Sequence, residues 1–153
     1  MLFRSAIALA ISTGTVALAQ ERISEEVQAE LEQVQKTVDS FFRNFTDKSI
    51  GPDKSLRELL IGSPLKDRKE AIATLTQQAG QLEKQYGAYL NHERVAYKMH
   101  GSDLMLVRYL FKCEKFPVIW NFYFYRPGNS GLTKRDWTLI ELKFDANLES
   151  LDR

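Results

Sequence analysis

Residues 104–125, LMLVRYLFKCEKFPVIWNFYFY, decide the fold. β-Branched and aromatic residues crowd both halves, and such side chains suit a pleated, half-buried surface. Glu114, Lys115, Phe116 and Pro117 read as a short turn between two strands. Alternation puts Met105, Val107, Tyr109, Phe111 and Cys113 on one face of the first strand. Leu104, Leu106, Arg108, Leu110 and Lys112 fall on the other. The second strand divides into Val118, Trp120, Phe122 and Phe124 against Ile119, Asn121, Tyr123 and Tyr125. One face of each strand is almost wholly apolar and the other is mixed, the pattern of an antiparallel sheet with one side on a core.

The flanking segments extend this sheet. From Asn91 onward the period is two, which predicts a preceding strand with Val95, Tyr97 and Met99 inward and Arg94 and Lys98 outward. His100, Gly101, Ser102 and Asp103 make the turn into the central pair. Residues 126–131, rich in Gly, Pro, Asn and Ser, read as a loop. Residues 137–145 then form a last strand, with Thr138, Ile140, Leu142 and Phe144 inward. Trp137, Leu139, Glu141, Lys143 and Asp145 face outward.

Upstream of residue 91 the period is helical. Val27, Leu31, Val34, Val38, Phe41, Phe42 and Phe45 are spaced by threes and fours, so one helix face from Ser24 to Phe45 is apolar. Ser24 is placed as its N-cap, and Glu25 and Glu26 suit the positive end of the helix dipole. About three heptads are too few for a convincing coiled coil, and the stripe widens at Phe41 and Phe42, so it is expected to dock on the chain's own sheet. A short helix capped by Asp53 carries Leu56, Leu59 and Leu60. A second begins at Ser63 and Pro64, runs through Ile72, Leu75, Ala79 and Leu82 to Tyr86, and ends at Gly87.

The first nineteen residues stand apart from this pattern. A single charge, Arg4, precedes an apolar run and the small-residue site Ala17-Leu18-Ala19, which together describe a secretory signal peptide. The run is too short and interrupted for a membrane span, which needs ~20 apolar residues. The expected product is one domain covering residues 20–153, secreted or periplasmic. Mass spectrometry of the exported protein should find Gln20 at its N-terminus, and an intact Met1 chain in the cytosol would overturn this reading.

Composition excludes several classes. With 21 basic and 20 acidic residues, the chain has no field of positive charge for nucleic acid. One cysteine, Cys113, rules out an intrachain disulfide and any cysteine-based metal cluster. It shares a phase with Val107 and Phe111, as a buried small hydrophobe would. His92 and His100, at the ends of one strand, are too few for a metal site. No phosphate loop, dinucleotide glycine pattern or nucleophile elbow occurs, so no cofactor is expected.

Helices followed by three or four long antiparallel strands make an α+β layout. The helix ending FFRNF (residues 41–45), the pair VRYLFKCEKFPVIWNFYFY and the closing strand WTLIELKF resemble the NTF2-like superfamily, which includes SnoaL-like and ketosteroid-isomerase-like domains. The resemblance implies helices packed on a curved antiparallel sheet of about four strands, forming a cone with a pocket. The superfamily holds enzymes, binding domains and dimerisation modules, so fold alone does not settle function.

The inward faces of the four strands, taken by alternation, contain no acid and no histidine, and a general base needs a titratable group within reach of its proton. Tyr86, Tyr97, Tyr109, Cys113, Trp120 and Thr138 are the polar handles. They are either core side chains with paired tips or the lining of a small apolar ligand's pocket. This favours a non-catalytic binding domain for a small apolar ligand or a protein partner. The alternatives are an isomerase- or hydrolase-type enzyme, revived if the fold brings His92, Glu93, Asp47 or Asp53 to the pocket mouth, and a dimerisation module. For the last, Arg108, Leu110, Tyr123, Tyr125, Trp137 and Leu139 on the outer sheet face are the candidate homodimer contacts, unless the segment 148–151 covers them.

Overall fold

The computed structural model describes residues 25–127 and 136–152. The expected leader, the Ser24 cap and positions 128–131 of the expected loop lie outside the described residues. The chain is α+β. Four strands, β1 (Tyr89–His100), β2 (Leu104–Cys113), β3 (Val118–Tyr125) and β4 (Thr138–Asp145), form an open antiparallel sheet in the order β1-β2-β3-β4.

Helix α1 (Glu25–Thr46) lies across one face of this sheet. Its stripe of Leu31, Val34, Val38, Phe41, Phe42 and Phe45 is buried, as the spacing requires. Phe41, Phe42 and Phe45 each stand with ring centroids 5.5 Å from Trp120. From the sheet side, Phe144 stacks on the same indole at 4.4 Å. The core is therefore built of aromatic rings interleaved between α1 and the centre of the sheet.

Helix α2 (Gly51–Leu59) begins two residues before Asp53, with a proline in its first turn. Asp53 accordingly does not cap it; its carboxylate takes a hydrogen bond from Arg57 Nε one turn on, at 2.9 Å. The single helix expected from Pro64 to Tyr86 is three pieces: a 3₁₀ turn (Pro64–Asp67), α3 (Lys69–Gly80) and α4 (Leu82–Tyr86). Ser63 caps the first piece by accepting from the Leu65 N–H. Its own hydroxyl donates to the Leu139 carbonyl, which ties this turn to β4.

Gly87 closes the helical half in a conformation (φ 87°, ψ 178°) open almost only to glycine. A Cβ there would lie 3.0 Å from the Cβ of Glu114. The turn after β2 is pinned at this point, because Lys115 N donates to the Tyr86 carbonyl (2.9 Å) and Glu114 N to the Ala88 carbonyl (3.0 Å). Gly87→Ala should lower unfolding free energy by about 1–3 kcal/mol. Denaturant titration checks this, and an unchanged midpoint would show that the turn relaxes freely.

Alternation predicted β2 and β3 correctly, but three bulges alter the edge strands. The register shift at Val95 in β1 turns Arg94 and His92 to the core side, opposite Tyr109 and Phe111, and a second shift at Leu90 puts Tyr89 there too, opposite Cys113. Tyr97 and Met99 do face inward, but Val95 is 42% exposed rather than buried. In β4 the shift at Ile140 pairs Leu139 with Phe124 and Thr138 with Tyr125. Leu139 is therefore core, not outer face, and Trp137 packs against the same cluster. Thr138 moves the other way, onto the outer face beside Tyr125. An extra residue in one strand reverses the parity of everything beyond it.

The outer face is partly covered by the chain itself. A 3₁₀ turn (Leu148–Asp152) lies against β3. Arg108 donates from Nε to Asn121 Oδ1 (2.8 Å) and from Nη1 to the Leu151 carbonyl (3.1 Å). Ile119, on this face, is 0% exposed. Two ion pairs lie on the strands, Glu93–Lys112 between β1 and β2 and Glu141–Lys143 within β4, each at 2.7 Å.

Candidate functional site

The space between α1 and the middle of the sheet is filled. Trp120 and Tyr109 have no room beside them for a ligand, since Phe41, Phe42, Phe45 and Phe122 occupy it. Room opens at the C-terminal end of α1. A cleft of about 590 Å³ lies there, between the α1–α2 connection, the α3–α4 junction and the paired ends of β1 and β2. Phe45, Ala79, Leu82 and Phe111 supply its apolar wall; Tyr89 and Cys113, directly opposite each other in the sheet, close one side. The volume falls in the ~300–1,000 Å³ range of small-molecule sites.

Tyr89 links this cleft to a polar chain. Its hydroxyl lies 2.7 Å from His92 Nδ1, and His92 Nε2 lies 3.1 Å from Asp39 Oδ1. Burial, then the charge of Asp39, then Cys113 push the Tyr89 phenol above its ordinary pKa. The Asp39 carboxylate can only accept, so His92 Nε2–H donates to it, which fixes the ring and turns Nδ1 to the Tyr89 hydroxyl. Phe42 packs on His92 at 4.7 Å and holds it from above.

Two further polar groups stand next to this chain. Arg94 and Tyr109 are cross-strand partners on the core side. The Tyr109 hydroxyl and Arg94 Nη1 are buried without a hydrogen-bond partner. Burial first, and the Asp39 charge second, hold the Tyr109 phenol firmly protonated. Burial, with a smaller effect from Glu83, also raises the Cys113 thiol, so it is not a ready thiolate.

The six pocket candidates, five from strand alternation and Tyr86 from the helix, are dispersed by the fold. Cys113 lines the cleft. Tyr86 lines a different groove, beside Val118 and Phe144. Tyr109 and Trp120 are core, Tyr97 lies further along β1 under the Arg94 guanidinium (5.8 Å), and Thr138 is on the outer face. The residues that converge are Asp39, Tyr89 and His92, which alternation did not select. The bulge at Val95 hid His92, and Tyr89 precedes Asn91, where the expected strand began. Asp39 was legible only as a carboxylate one turn before Phe42 on the inner stripe.

Among the described residues, no group of three His, Cys, Asp or Glu side chains is placed to hold a metal ion. No described helix is long and apolar enough to cross a membrane. No protein-family model, curated protein or solved structure matches the chain.

Proposed function

We propose that this is a binding domain that takes a small, mostly apolar ligand into the cleft beside Tyr89, in the manner of the NTF2-like domains its sequence resembles. One observation carries the reading: a cleft of suitable size, apolar inside and edged by the exposed Asp47, Lys48 and Glu83, has an oriented phenol on its wall, held from behind by His92 and Asp39. Apolar walls supply affinity and a few fixed polar groups supply orientation, the usual division of labour in such sites. The apolar remainder of the outer face, with Tyr125 exposed, is the surface a homodimer would use; its centre is occupied by the chain's own last turn.

The test uses Cys113 as a reporter, because it shares the cleft. The fluorescent apolar probe ANS, once bound in the cleft, should slow iodoacetamide alkylation of Cys113. Tyr89→Phe should weaken a ligand that bonds the hydroxyl by about tenfold, the worth of one hydrogen bond. ANS binding that leaves Cys113 alkylation unchanged would remove the cleft reading.

A second reading, an isomerase- or hydrolase-type enzyme, is favoured by the Asp39–His92–Tyr89 chain itself. A carboxylate behind an imidazole behind a phenol is an arrangement able to accept a proton from a group in the cleft. Deuterium incorporation from heavy water into ketone or ester probes, abolished by His92→Ala, would decide for it over simple binding.

A further inference from the structure

On the other side of Leu82 a second groove of about 500 Å³ runs between the α3–α4 segment and the adjoining ends of β3 and β4. Leu82 is the one residue it shares with the Tyr89 cleft. Its helical wall carries four glutamines, Gln77, Gln78, Gln81 and Gln85. Steps of three and four put Gln78, Gln81 and Gln85 along one side of the helical segment. Among the described residues, none of the four amides is hydrogen-bonded within the protein. The half-buried rings of Tyr86, at the end of α4, and Phe144, on β4, line the same groove, with Val118 at the start of β3. Asp145 stands at one end; its Oδ1 already accepts the Asn147 N–H at 2.8 Å, which leaves Oδ2.

The chemistry of this lining selects a ligand class. A side-chain amide both donates and accepts, as does a hydroxyl, so a row of amides matches a row of hydroxyls. Among the described residues no lysine or arginine lines the groove, and a phosphate or carboxylate would want such charged donors. A wholly apolar ligand would strip water from four amides without replacing their hydrogen bonds, at a cost. A sugar ring has both parts required: hydroxyls around its edge, and a C–H face that lies flat on an aromatic ring. We propose that this groove binds a neutral, hydroxyl-rich ligand, a sugar ring or a short glycan. The proposal stands on residues separate from the Tyr89 cleft and does not depend on it.

The test is NMR titration of the full, ¹⁵N-labelled chain with maltose, cellobiose and diacetylchitobiose, read at the side-chain amide pairs of the four glutamines. At least one sugar should shift these resonances saturably, at the millimolar dissociation constants (~1 mM, about −4 kcal/mol) that a few exposed hydrogen bonds support. The double variant Gln78→Ala, Gln81→Ala should weaken that binding about fivefold or more. Its thermal melt should be unchanged, since both side chains are exposed. ANS binding at the Tyr89 cleft should also be unaffected. Absence of glutamine shifts with all three sugars would overturn the proposal. So would equal binding by the double variant, or inorganic phosphate moving the same resonances.

Discussion

Trp120→Ala should cost about 3–5 kcal/mol of unfolding free energy, a large part of the ~5–15 kcal/mol that holds a domain of this size together. The indole is fully buried at the centre of β3. It touches Phe41, Phe42 and Phe45 of α1 and stacks on Phe144 of β4, so its loss opens a cavity where helix and sheet meet. Rings packed on several sides cannot collapse inward without leaving their rotamers, which places the cost toward the upper end. Trp120→Phe should cost clearly less. It removes less volume, and it also removes an indole N–H that is buried without a partner. Denaturant titrations of both variants give the comparison. A Trp120→Ala protein as stable as the parent would mean that α1 does not dock on this part of the sheet.

The second large effect is expected at Arg126. Its guanidinium donates to the Glu30 carboxylate, both side chains being largely buried, and it lies 4.7 Å from the Trp137 ring centroid. A weaker bond reaches the Ser102 carbonyl at 3.4 Å, and the Arg126 N–H donates to the Asp103 carbonyl at 2.8 Å. One residue thus joins the first half of α1, the β2 entry, the end of β3 and the approach to β4. Arg126→Ala removes a buried charge partner of Glu30, and breaking a buried pair in this way costs about 3–5 kcal/mol. Replacing both residues by methionine should recover most of the loss, because an apolar pair of similar volume avoids desolvating two charges. A double-mutant cycle measures the coupling. If Arg126→Ala and the double variant are both as stable as the parent, the pair does not anchor α1.

The sequence by itself determined the aromatic core and the elements that meet there. The stripe on α1 and the inward faces of β2 and β3 are local repeats of 3.6 and 2, and each repeat names its buried side without reference to any other element. Tyr109, Cys113, Trp120 and Phe122 are where that rule puts them. Tertiary structure decided the rest, for identifiable reasons. Bulges at Leu90, Val95 and Ile140 carry no glycine or proline to announce them. They arise from how an edge strand fits its neighbour, and each reverses the in–out parity beyond it. That reversal moved His92 and Arg94 inward, took Leu139 and Trp137 from the outer face to the core, and put Thr138 outside. The convergence of Tyr89, His92 and Asp39, separated by fifty residues of chain, depends on α1 crossing the sheet at one particular height, which no local pattern encodes. The seating of the turn Leu148–Asp152 against β3 is likewise a long-range choice, made when Arg108 finds the Leu151 carbonyl rather than solvent.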